Sequence, residues 1–150
     1  MKLQSIVAGA VLAVGLFGGA NAVHAANGGS KELVLAYYRM MFQDKDVERA
    51  MGTYVSKNLI QHDPYLGDGA AAMTDFFVPY YEQHPQASAE IEHVVAEGDI
   101  VVVHAFWKET PEDLGQAVVD IFRVDNGKIV EHWNVSQDIP ENPANKNTMF

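Results

Sequence analysis

Four β-rich segments, at residues 87–96, 100–108, 116–124 and 128–137, crowd the second half of the chain. Glu97-Gly98 and Asp125-Asn126-Gly127 are tight-turn sequences, so the strands they join run antiparallel. Helical patterns come first and this meander follows, an order that predicts an α+β fold with helices packed on one face of a curved sheet. A cone of that kind leaves a pocket between its helices and its sheet. The tail from Ile139, carrying Pro140 and Pro143, cannot extend the sheet and is expected to wrap over the surface.

In the first half, Val34, Tyr37, Tyr38 and Met41 recur at helical spacing within a helix expected at residues 31–43. Asn27-Gly28-Gly29 reads as a flexible lead-in and Ser30 as its N-cap. Asp46 can cap a second short helix reaching Gly52 or Tyr54, and Leu59 to His62 reads as an extended segment closed by Pro64. A third helix, from Gly69 to about Gln83, carries Met73, Phe76, Phe77, Tyr80 and Tyr81 at three- and four-residue intervals, with Pro79 expected to kink or shorten it. This aromatic stripe suits a core, and one tyrosine hydroxyl can enter a pocket.

The N-terminus has Lys2, an apolar run from Ile6 to Phe17, and small residues at Ala20-Asn21-Ala22 and Val23-His24-Ala25. That is the pattern of a secretory signal peptide cleaved near Ala25, with Ala22 the next choice. The apolar run is short of the roughly 20 residues a spanning helix needs. The expected organisation is therefore a leader at 1–25 and one domain at 26–150, in a periplasmic or secreted product without a stable membrane anchor.

Composition narrows the chemistry. A chain of 150 residues, 48% of them hydrophobic, suffices for one domain with a real core. Its net charge of -10 argues against a nucleic-acid partner, because duplex binding needs basic side chains to neutralise phosphates. The absence of cysteine removes disulfides, thiolate nucleophiles and iron-sulfur clusters. No His-Glu-x-x-His spacing appears, Gly67 and Gly69 lack the rest of a dinucleotide fingerprint, and no serine sits in a nucleophile elbow. No metal and no organic cofactor are expected, and the chemistry falls to His, Asp, Glu, Tyr or Asn.

The last hairpin places two such residues. A three-residue loop at Asp125-Asn126-Gly127 pairs Val124 with Lys128, which brings Asp120 opposite His132 and Val118 opposite Asn134. A two-residue loop would instead pair Asp120 with Trp133 and separate the two. A carboxylate beside an imidazole in an apolar pocket can serve as a general acid/base pair, or as a structural hydrogen bond. His104 lies in an otherwise apolar strand, on a buried or pocket face, where an isolated histidine is more often a satisfied core residue than a working one. His62 either points into the same cavity or sits on a surface turn. His93 can face inward or lie at an oligomer contact.

Several motifs then resemble one family: Leu59-Ile60-Gln61-His62-Asp63-Pro64 with Asp68-Gly69, Val95-Ala96-Glu97-Gly98-Asp99, Asp120-Ile121-Phe122-Arg123, Gly127 to Trp133, and the ending Asn145 to Phe150. Together they are similar to the SnoaL-like polyketide cyclases, in a bacterial branch predicted to catalyse aldol condensation. The resemblance runs from Lys31 to the C-terminus. It implies the nuclear transport factor 2-like fold, commonly a homodimer through the sheet, and cofactor-independent aldol closure with an aspartate as acid/base. That aspartate matches Asp120, and a pocket histidine matches His104. The branch usually has an aspartate after His-Trp where this chain has Asn134, an amide that hydrogen-bonds but does not titrate.

The expected function is thus a cofactor-independent lyase, cyclase or isomerase acting on a small apolar carbonyl compound. Asp120 and His104 are the expected catalytic residues, and His62, His132, Asn134 and Tyr38 the expected substrate-binding ones. A non-catalytic periplasmic module holding the same kind of ligand is the competing expectation.

Overall fold

The computed structural model describes the chain from Gly19 to Phe150, with side chains from Gly29 onward. Residues 1–18, which hold most of the expected leader, lie outside the described residues. Three helices, α1 (Gly19–Tyr38), α2 (Val47–Tyr54) and α3 (Ala70–Gln83), cover a sheet of β1 (Val55–Gln61), β2 (Ser88–Glu97), β3 (Ile100–Lys108), β4 (Gln116–Asp125) and β5 (Lys128–Asp138). Among the described residues no helix is long and apolar enough to cross a membrane.

Helix α1 starts earlier than its sequence suggests. It runs through Asn27-Gly28-Gly29 without a break, so that segment is not a coil and Ser30 is not a cap. Four alanines between Ala20 and Ala26 carry strong helix propensity across the glycines. The expected stripe is in place: Val34, Tyr37, Tyr38 and Met41 are all buried. At Arg39–Gln43 the helix widens into a π turn, closed by the Asp44 N–H on the Arg39 carbonyl at 2.8 Å. Turns of this kind are frequent at functional sites, and this one directly follows Tyr38. Asp46 occupies the N-cap position of α2 but makes no side-chain cap. Helix α3 continues past Pro79 to Gln83, so the proline does not shorten it.

The sheet order is β1-β5-β4-β3-β2. Strands β2 to β5 form the expected antiparallel meander, whereas β1 pairs with β5 in parallel, so the sheet is mixed. A chain that crosses from β1 at one edge through α3 to β2 at the other can return beside β1 only at the end of the meander. Alternation fixes the two faces. Val101, Val103 and Ala105 of β3 and Val118, Asp120, Phe122 and Val124 of β4 are buried under the helices. Their neighbours in sequence face outward.

The β4–β5 hairpin departs from the expected register. Asn126 (φ 48°) and Gly127 (φ 73°) form a two-residue turn that pairs Asp125 with Lys128. Two successive positive φ angles are what the favoured right-twisted hairpin turn requires. A bulge follows, because Val124 faces Ile129 while Arg123 faces Glu131, leaving Val130 as an extra residue on β5. Asp120 therefore lies opposite Asn134, and Phe122 opposite His132. The three-residue loop and the direct Asp120–His132 pairing are both corrected.

Candidate functional site

Despite the changed register, Asp120 and His132 remain on one face as diagonal neighbours, close enough for polar contact. His132 Nε2 lies 3.1 Å from Asp120 Oδ1. Asn134, directly opposite, donates from Nδ2 to the same oxygen at 2.7 Å. From α1, the Tyr38 hydroxyl donates to Oδ2 at 3.1 Å. Against a carboxylate the ring nitrogen of His132 is the donor, so Asp120 holds three hydrogen bonds, one from α1 and two from β5. A carboxylate has about four lone-pair positions, and one is left over on a side chain that lines a cavity.

Asp120 and His132 are themselves buried, at 4% and 6% exposure. His132 Nδ1 lies 3.0 Å from Oε1 of the Gln61 side-chain amide, an oxygen held in place by the Asp63 N–H at 2.9 Å. Gln61 thus fixes the ring from β1, where the parallel register sets it beside His132. Burial first, and then the neighbouring Asp120 charge, push the Tyr38 hydroxyl well above its ordinary pKa. It keeps its proton and serves as a donor at any physiological pH. Replacing Tyr38 with Phe removes that donor and is expected to cost about 1.5–3 kcal/mol of stability, the usual worth of a hydrogen bond to a charged group. Urea unfolding of the two proteins measures this, and equal midpoints would contradict the bond.

The cavity above Asp120 measures about 220 Å³, below the roughly 300–1,000 Å³ of drug-sized ligand sites. One wall is aromatic, built by Phe42, Phe76, Phe77, Tyr80 and Trp107, and the other is the polar strip of β4 and β5. Edge-to-face contacts set that wall: Phe42 meets Phe77 and Trp107 with ring centroids 5.9 Å apart in both cases. Each such pair is worth about 0.5–1.5 kcal/mol beyond the area it buries. Phe76 stands at the rim, 45% exposed.

Two expected site residues are elsewhere. His104 pairs with Val119 and so faces away from the helices, because Val103, its neighbour, is the residue opposite Asp120. It stacks between His93 and Phe150, at centroid distances of 5.7 and 5.3 Å, on the outer side of the sheet. His104 therefore does not share the cavity with Asp120. His62 is also turned outward, since Gln61 before it points inward toward His132. Its Nε2 lies 2.7 Å from Glu131 Oε1, and its ring stacks on Trp133 at 4.6 Å. The His62 hydrogen bond, aided by Arg123, holds the Glu131 carboxyl below its ordinary pKa. Conversely, Asp63, Gln116 and Ser136 line the cavity without having been expected there. Among the described residues, no group of three or more His, Asp or Glu side chains is gathered closely enough to hold a metal ion.

Residues 34–132 match the family model of the SnoaL-like domain. The chain belongs to the SnoaL-like family. No curated protein sequence matches it significantly. Among solved structures, this SnoaL-like protein is similar to a SnoaL-like polyketide cyclase from Agrobacterium tumefaciens, with 18% identity and a TM-score of 0.60 over 72% of this chain and 91% of that one. It is also similar to a candidate polyketide cyclase from Acidithiobacillus ferrooxidans, with 19% identity and a TM-score of 0.59 over 72% and 87% of the two chains. A candidate ketosteroid isomerase from Kribbella flavida gives 13% identity and a TM-score of 0.64 over 79% and 85%. At these identities the likeness establishes the fold, α+β and nuclear transport factor 2-like, and function has to be argued from the site.

Proposed function

We propose that this SnoaL-like protein is a cofactor-independent acid/base enzyme of the aldol-cyclase, lyase or isomerase type, acting on a small carbonyl compound. The observation that carries this reading is Asp120, a buried carboxylate on the cavity lining with three of its acceptor positions filled. In the first step the fourth position takes a proton from the carbon next to the carbonyl. The C–H electron pair becomes a new C=C bond, and the carbonyl π pair moves onto the oxygen to give an enolate. Asn134 Nδ2 has a second hydrogen beyond the one given to Asp120, and that hydrogen can meet the new oxyanion. The enolate then attacks a second carbonyl or is reprotonated at a different carbon, which separates condensation from isomerisation.

The same saturation of Asp120 by protein donors favours a second reading, a binding module that holds such a compound without turning it over. Hydrogen–deuterium exchange at the α-carbon of 4-methylacetophenone in D2O, followed by NMR, tests the two. Exchange at least about a hundredfold above buffer is expected from a positioned general base. Binding without exchange would establish the module instead.

The reading extends to location and assembly. Export by the N-terminal leader would make the protein periplasmic or secreted. Pairing of two copies through the outer sheet face is supported by Val95 and Val135, each 64% exposed on that face.

A further inference from the structure

The cavity above Asp120 continues outward. A second cavity of about 320 Å³ opens beside it, and the two share Tyr80, Trp107 and Gln116. The outer one is rimmed by Glu109, Asp113 and Asp138. All three are held in place: Glu109 Oε1 lies 2.8 Å from His84 Nδ1, Asp113 Oδ2 accepts the Thr110 N–H at 2.8 Å, and Asp138 Oδ1 accepts the Gln116 amide at 2.7 Å. Hydrogen bonds from Thr110 keep the Asp113 carboxyl below its ordinary pKa. No lysine or arginine lines either cavity. Lys108, the basic side chain nearest in sequence, reaches the Pro111 carbonyl and the Phe106 ring instead.

Taken alone, three acids on a rim would be an ordinary solvated surface. Here they continue an aromatic-walled cavity whose inner end already holds two carboxylates, Asp120 and Asp63. Against the five stand two imidazoles, His132 and His84. At the junction, the rings of Tyr80 and Trp107 border both halves, and aromatic faces attract cations.

We propose that the two cavities form one bipartite site: the inner half takes an uncharged planar carbonyl end, the outer half takes a cationic end such as a protonated amine, and anionic compounds are excluded. This rests on the reading of the inner cavity as a carbonyl site. It means that a carbonyl substrate arrives as a ketone, aldehyde or ester, not as a free acid, a phosphate or a thioester of a phosphate-bearing carrier.

Three para-substituted acetophenones test it by calorimetric titration of the folded protein: 4-(aminomethyl)acetophenone, 4-methylacetophenone and 4-acetylbenzoate. The expected order of affinity is cation, neutral, anion, with roughly tenfold between successive members, as one charge pair near a protein surface provides. A variant carrying E109Q, D113N and D138N should lose the cation's advantage while binding the neutral ketone as before. Raising the salt to 0.5 M should compress the order in the unmodified protein, because the rim is screened. That series discriminates even if the variant does not fold. An acid bound as tightly as the neutral ketone, a cation preference untouched by salt and variant, or no binding of any probe overturns the proposal. Exchange measured on the same probes separates the two claims. Exchange without charge order removes only the bipartite site, and charge order without exchange removes only catalysis.

Discussion

Replacing Asp120 with asparagine is expected to lower α-proton exchange by about 10²–10⁴-fold, the usual contribution of a positioned general base. The amide has nearly the shape of the carboxylate but cannot take up the substrate proton. It also brings two N–H donors to a place where Tyr38, His132 and Asn134 all donate. Some hydrogen bonds must therefore break, and a stability loss of about 1–3 kcal/mol should accompany the loss of exchange. NMR exchange rates and thermal melts on the same samples read both effects. Exchange at the unmodified rate would place the base elsewhere. Asp63 would then be the next candidate, because it is the other carboxylate lining the inner cavity.

Alkaline pH should unfold the protein steeply. Burial is the main cause that raises the Tyr37, Tyr38 and Tyr81 hydroxyls far above the ordinary tyrosine pKa, with the Asp120 charge adding to the first two. In the unfolded chain these hydroxyls lose their protons near pH 10, while in the folded chain they keep them. Above pH 10 the unfolded state therefore binds fewer protons than the folded state, and stability falls as pH rises. Below pH 10 the contribution is fully present. Each tyrosine adds a slope of about 1.4 kcal/mol per pH unit, so the three together give about 4 kcal/mol per unit. Against a typical stability of about 5–15 kcal/mol, two or three pH units suffice to unfold the chain. Melting temperatures from pH 8 to pH 12 should be level at first and then drop. The Tyr81 hydroxyl is buried without a hydrogen-bond partner. Tyr81→Phe should thus cost little at neutral pH and remove about a third of the alkaline slope; an unchanged slope would refute this account.

Local pattern made much of this fold legible. The stripe from Val34 to Met41 follows from helical spacing, and the four strands of the meander follow from β-rich runs between turn residues. Pairing of distant segments did not follow. The parallel contact of β1 with β5 joins residues about seventy positions apart, so nothing near Gln61 reveals that it supports His132. His104 illustrates a different limit. From Val101 to Val103 the strand is apolar on both faces, so alternation gives two faces without saying which is inside. Only the register of Val103 on Asp120 decides, and it turns His104 outward. The three-residue turn that would set Asp120 directly opposite His132 does not form. The two side chains meet because a shorter turn and a one-residue bulge combine to preserve the shared face.

That bulge links the length of the hairpin to the composition of the cavity. Along β5, Ile129 and His132 are buried three positions apart, where a regular strand would bury every second residue. Val130 thus acts as a phase shifter: it decides that His132 and Asn134, and not Glu131 and Trp133, look toward Asp120. A lineage that gains or loses a single residue between Val124 and Glu131 would exchange the whole inner lining of β5 for its outer one. Changes of length at this hairpin can be inherited harmlessly only in compensating pairs, whereas the chain beyond Ile139 is free of that parity.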